Sequence, residues 1–183
     1  MVLFSALSLD LFIVRGALGS QFYPRVVVRG ALAHNSTMRE VTRSALVGQP
    51  PQRLYELIAD VERYPEFVPG CVQARIESRE GDEVVATLGI RRGVLDTAFT
   101  TRNRLVPGKS LTMRLERGPF KTLEGEWTVE PIGDAGCNVT LRLRFEFENR
   151  LAGVMMGPVF EDTAKSLVDA FVARARRLAA EGG

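Results

Sequence analysis

At 183 residues and 20.2 kDa, the chain is long enough for one ordinary domain with sequence to spare at an end. Its composition, 45% hydrophobic and 25% charged, excludes a disordered or fibrous chain, and no apolar run reaches the roughly 18 residues that a membrane-spanning helix needs. Residues 1–37 hold three of the 24 basic and one of the 22 acidic residues, which leaves residues 38–183 neutral and without the global basic field that draws in DNA.

The first 37 residues form an N-terminal extension unlike the rest, acid-poor and with apolar clusters at 2–7, 9–14 and 26–28. A secretory signal places basic residues before its apolar run, yet the first arginine here is Arg15 and Asp10 interrupts the run. Two readings stand: translation that starts at Met38, or an organellar targeting segment that would make the protein mitochondrial. Under either, the extension is expected to be disordered and the domain spans 38–183. The single histidine, His34, falls in the extension. That removes serine–histidine and cysteine–histidine nucleophiles, a histidine general base and most zinc sites from the domain. Cys71 and Cys137 match no metal or redox spacing and are expected to be reduced and partly buried.

Residues 39–47 alternate as a strand does, through Val41, Arg43, Ala45 and Val47. Pro50-Pro51 then opens a helix whose apolar stripe is Leu54, Leu57, Ile58 and Val61. Tyr64-Pro65 is expected to stop it, because a residue before proline is pushed out of the helical region. Six strands are predicted next, at 71–79, 83–91, 94–105, 111–117, 122–130 and 138–148, separated by glycine- and proline-rich turns. The last of them sends Val139, Leu141, Leu143, Phe145 and Phe147 to one face and charged or polar residues to the other. That is an antiparallel sheet with one wet face.

A terminal helix closes the chain, with Phe160, Ala164, Leu167, Phe171, Ala175 and Leu178 on its apolar stripe. Gly157-Pro158 marks its expected start, with Glu161 and Asp162 in the first turn and Arg174, Arg176 and Arg177 in the last, as the helix dipole favours. The fold class is therefore α+β: a curved antiparallel sheet wrapped around a long C-terminal helix.

Curvature holds such a sheet off its helix, and an apolar ligand cavity between them is the functional expectation. Its candidate lining is Phe99, Thr101, Met113, Phe120, Trp127 and Phe145 from the strands, and Val159, Leu167 and Phe171 from the helix. Each of these residues would serve equally as ordinary core. The soft stretch Leu-Ala-Gly-Val-Met-Met-Gly-Pro at 151–158 fits a lid over that cavity or an irregular start to the helix. Arg102, Arg104, Arg142 and Arg144 could meet phosphates, but Glu124, Glu126, Glu146 and Glu148 sit near enough to pair with them across strands. Adjacent Glu161 and Asp162 diverge around a helix and make a poor catalytic pair. No glycine-rich phosphate loop is present.

Several segments carry a family resemblance: RSALV at 43–47, DVERYPEFVPGC at 60–71, FTTRN at 99–103, GPFKTLEGEW at 118–127, FEFENRL at 145–151 and AFVARA at 170–175. In order and spacing they resemble the coenzyme-Q-binding START-like family, most closely its bacterial RatA-type branch. The resemblance implies a helix-grip fold and non-catalytic binding of ubiquinone or another polyprenyl quinone in support of respiratory electron transport. No further cofactor is implied. For the bacterial branch it implies instead a ribosome-association toxin that binds the large ribosomal subunit and hinders subunit joining. A cytoplasmic protein, with peripheral contact at the inner membrane when loaded with lipid, is the corresponding location. Pro158 departs from the family pattern, which runs on as helix there. In physical terms, Pro65, Pro69 and Gly70 set a sharp path from helix into strand, anchored by Tyr64, Phe67 and Val68. Phe120 is placed to tuck under the sheet end, and Gly125 to leave room on the face that Trp127 shares.

Overall fold

The computed structural model describes residues 38–133 and 136–181; the expectations for residues 1–37 lie outside them. β1 (Arg39–Val47) leads into α1 (Pro51–Ala59) and a 3-10 helix (Val61–Glu66). Six more strands follow: β2 (Cys71–Glu80), β3 (Glu83–Arg92), β4 (Leu95–Val106), β5 (Ser110–Arg117), β6 (Phe120–Ile132) and β7 (Gly136–Phe147). α2 (Arg150–Glu181) ends the chain. The strands form one antiparallel sheet in the order β1-β7-β6-β5-β4-β3-β2. Every neighbouring pair but β1–β7 is consecutive in sequence, as hairpin turns require. Val139, Leu141, Leu143, Phe145 and Phe147 of β7 are all buried, so its alternation reads out directly as a core face.

Two boundaries differ from the sequence expectation. α1 ends at Ala59, not at Tyr64-Pro65: Asp60 N–H closes the helix on the Glu56 carbonyl at 3.0 Å, and the chain tightens into the 3-10 helix that contains Pro65. The tighter turn allows both Val61 and Tyr64 to be buried.

α2 begins at Arg150 and runs through Gly157-Pro158 as regular helix. Asn149 supplies the start, its Oδ1 accepting from the Leu151 and Ala152 N–H groups at 2.8 and 3.2 Å. Glu161 and Asp162 therefore lie three turns in and hold other partners. Glu161 takes Arg39 at 2.7 Å and Lys165 at 2.6 Å. Burial works to raise the Glu161 pKa, but these two cations outweigh it and hold the carboxyl below its ordinary value. Arg174 likewise sits inside the helix, bound to Glu66 at 2.6 Å.

The two glycines of 151–158 explain that stretch. Gly157 faces Arg39 so closely that a Cβ would fall 2.6 Å from its Nε, and Gly153 faces Phe147. Leu151, Val154 and Met155 point to solvent on the opposite side.

Candidate functional site

The concave face of β3 to β7 meets the middle of α2 across an apolar cavity of about 80 Å³. The helical corner at 61–71 closes one side. Tyr64 Oη donates to the Ile58 carbonyl at 2.6 Å, which ties the corner back to α1. Gly70 makes its exit possible: its φ of 78° is left-handed, and its carbonyl accepts from Arg91 N–H at 2.7 Å. Phe171 of α2 is the packing centre, meeting Tyr64, Phe67 and Trp127 edge to face at 5.2, 5.0 and 5.0 Å between ring centroids.

Of the residues expected to line the cavity, Phe99, Thr101, Met113, Trp127, Leu167 and Phe171 do so. Phe120, Phe145 and Val159 do not. Phe120 and Phe145 pack instead into an aromatic cluster with Phe147 and Phe160, their centroids 4.5 to 6.2 Å apart, which fills the end of the fold nearest the start of α2. Phe145 has the cavity-facing parity of β7, whereas Phe120 reaches the core side only through the register shift between Phe120 and Thr122; both sit near the strand ends that the cluster plugs. Val159 is half-buried against the core, beside the cavity-lining Phe160 on the next helical position.

The space Gly125 leaves is taken by protein. A Cβ there would meet Leu143 Cδ1 at 2.9 Å and Met113 Cγ at 3.0 Å, both from residues that line the cavity.

Three polar side chains enter this apolar wall: Thr101, Asn103 and Thr163. Thr163 is satisfied, donating to the Val159 carbonyl at 2.8 Å and receiving Arg92 Nη1 at 3.4 Å. The same guanidinium reaches Asp162 at 3.1 Å, so the β3–β4 hairpin is tied to α2 beside the cavity. Asn103 is only 4% exposed and its carboxamide makes no hydrogen bond among the described residues. Sequence reasoning passed over Asn103, although the parity that selects Phe99 and Thr101 on β4 selects it next.

Among the described residues, no carboxylate, imidazole, ammonium or guanidinium lines the cavity. Its titratable groups are Tyr64 and Cys71, and burial pushes both pKa values up, so each stays protonated at neutral pH. Cys71 and Cys137 are free and buried, and no cluster of metal-ligating side chains occurs among the described residues. The arrangement favours holding an uncharged apolar group over proton transfer.

A larger cleft of about 580 Å³ lies between the corner and α2, but it opens broadly to solvent and the Arg174–Glu66 ion pair crosses it. On the outer face of the sheet, Arg102 pairs with Glu116 at 3.0 Å and Glu83 at 3.4 Å, and Arg142 with Glu126 at 3.7 Å. Cross-strand pairing therefore occupies these two arginines.

The profile of the family described as polyketide cyclase / dehydrase and lipid transport matches residues 47–172. The chain belongs to this polyketide cyclase and lipid transport family. Within it, the chain is 41% identical over 133 residues to the ribosome association toxin RatA of Pseudomonas aeruginosa, covering 73% of this chain and 92% of that protein. It is 28% identical over 136 residues to the mitochondrial coenzyme Q-binding protein COQ10 of Drosophila melanogaster, covering 72% of this chain and 56% of that one. Among solved structures, the Zhui aromatase/cyclase from Streptomyces sp. R1128 superposes with a TM-score of 0.69 at 22% identity, over 76% of this chain and 94% of that one. The last likeness shows a shared fold.

Proposed function

We propose that this chain is a ribosome-associating protein of the RatA type, which binds the large ribosomal subunit and hinders its joining to the small one. The observation that carries this reading is the 41% identity sustained over 92% of the length of the Pseudomonas aeruginosa toxin. The neutral charge of residues 38–183 rules against a purely electrostatic grip on RNA, so shape and apolar contact do the recognising. No catalytic step is part of this function. Sedimentation of ribosomal subunits through a sucrose gradient, with and without the purified protein, is the test. The protein is expected to travel with the large subunit and to deplete the joined ribosomes; an unchanged joined fraction overturns the reading.

A second reading has its own observation, the apolar cavity with one unpartnered carboxamide. On this reading the chain holds a hydrophobic small molecule, with ubiquinone or a related quinone the foremost class. A volume of about 80 Å³ is well short of the roughly 300–1,000 Å³ usual for ligand pockets. Binding therefore requires side chains to move, and a prenyl tail would protrude toward a membrane surface. No described helix is long and apolar enough to cross a membrane. Organic extraction of purified protein followed by mass spectrometry tests it: recovery of a quinone supports the reading, and neither recovery nor uptake of added quinone overturns it.

A further inference from the structure

We infer that Asn103 is the polar contact by which the cavity recognises a small, uncharged, apolar molecule bearing a hydroxyl or carbonyl oxygen. This rests on the reading of the cavity as a ligand site and specifies what that site selects.

The sheet register places Asn103 between Val84 on β3 and Met113 on β5. Folded interiors nearly always satisfy buried polar groups; among the described residues the fully buried, unpartnered side-chain atom is Arg174 Nε, so the Asn103 carboxamide, bonded to no described residue, keeps its access through the cavity it lines. The same strand shows how this sheet satisfies such a group elsewhere: Thr100, also buried but on the other face, shares a 2.7 Å hydrogen bond with Thr87. Asn103 is left open on the side of β4 that faces the cavity. Its carboxamide can donate to a carbonyl, and can both donate to and accept from a hydroxyl. Thr101 stands two residues away on the same face, about 7 Å along the strand, and offers a second polar contact.

The ligand is uncharged because no charged side chain among the described residues lines the cavity, and a buried carboxylate or ammonium would have no counter-ion from them there. Arg92, the cation beside Thr163, is already engaged by Asp162. The ligand is also small. A cavity of about 150 Å³ holds a benzene ring, so a six-membered ring needs some widening of the about 80 Å³ present. Met113, directly opposite Asn103 in register and only half-buried, can yield, being unbranched and flexible.

Phenol and toluene, alike in shape and differing by a hydroxyl, are the probes. Each is titrated into wild-type protein, Asn103→Leu and Asn103→Ala, and followed by the amide shifts of β4 and β5. The ratio of phenol to toluene affinity is expected to fall roughly fivefold in both variants, as loss of one hydrogen bond implies. Without probe, Asn103→Leu should melt no lower than wild type, since it removes an unsatisfied amide. An unchanged ratio while both probes bind overturns the role of Asn103 and leaves the cavity standing. Absence of binding of either probe to wild type overturns the cavity reading and this inference with it. A marked drop in melting temperature for Asn103→Leu shows that the fold already satisfies the amide, and also overturns it.

Discussion

The Tyr64 hydroxyl and the Ile58 carbonyl are joined by a 2.6 Å hydrogen bond, buried between the 3-10 helix and the last turn of α1. Burial, aided by the nearby Cys71 thiol and Asp60, raises the phenol pKa, so the group remains a donor at all ordinary pH values. Replacing Tyr64 by phenylalanine leaves the Ile58 carbonyl without its donor. The expected cost is about 1–3 kcal/mol in urea unfolding, with little change in m-value. Unaltered stability would mean that another donor reaches the carbonyl.

Phe171 is fully buried and touches three aromatic rings from the corner and from β6. Truncation to alanine is expected to destabilise by about 3–5 kcal/mol, the range for large buried aromatics. Phe171→Leu should recover much of that loss. Equal melting temperatures for the two variants would contradict the central packing role assigned to the ring.

Glu77, on the outer face of the sheet, has its pKa lowered to about 2. The Thr87 hydroxyl is the leading cause, followed by hydrogen bonds from Arg117 and, more weakly, Arg75, with partial desolvation opposing them. A carboxylate depressed in the folded state contributes stability above its ordinary value of 4.5, and that contribution drains away as pH falls toward about 2. Glu77→Gln should therefore show a shallower decline in melting temperature than wild type across this interval. Parallel curves for the two proteins would remove Glu77 from the acid response.

Pro158 lies within α2 with its ring exposed. It withholds the hydrogen bond that residue 158 would otherwise give the Val154 carbonyl. Pro158→Ala is expected to stabilise by on the order of 1–3 kcal/mol, seen as a rise in melting temperature. A fall would show that the ring is needed to shape the helix.

Much of this architecture was readable residue by residue. The strand over 39–47 was legible because Val41 and Val47 keep period two, and β7 because five apolar residues share one parity. Helix boundaries were harder. Pro158 reads as a start signal, yet the true cap is Asn149, whose Oδ1 function depends on how the chain leaves β7. Gly157 reads as softness until Arg39 is seen pressed against it.

The identity of the fold and the apolar face of each element were set by local pattern, because the side-chain periods of strand and helix are properties of the backbone itself. Which buried residues border empty space was a matter of tertiary structure alone. Phe145 and Trp127 are both buried aromatics of the concave face; only contact with Phe120, Phe147 and Phe160 assigns the first to solid core, while the second borders the cavity. Asn103 makes the same point from the polar side. Its burial follows from strand parity, but its lack of a partner depends on what β3, β5 and α2 place around it, and close packing across distant segments is not written in any single stretch of chain.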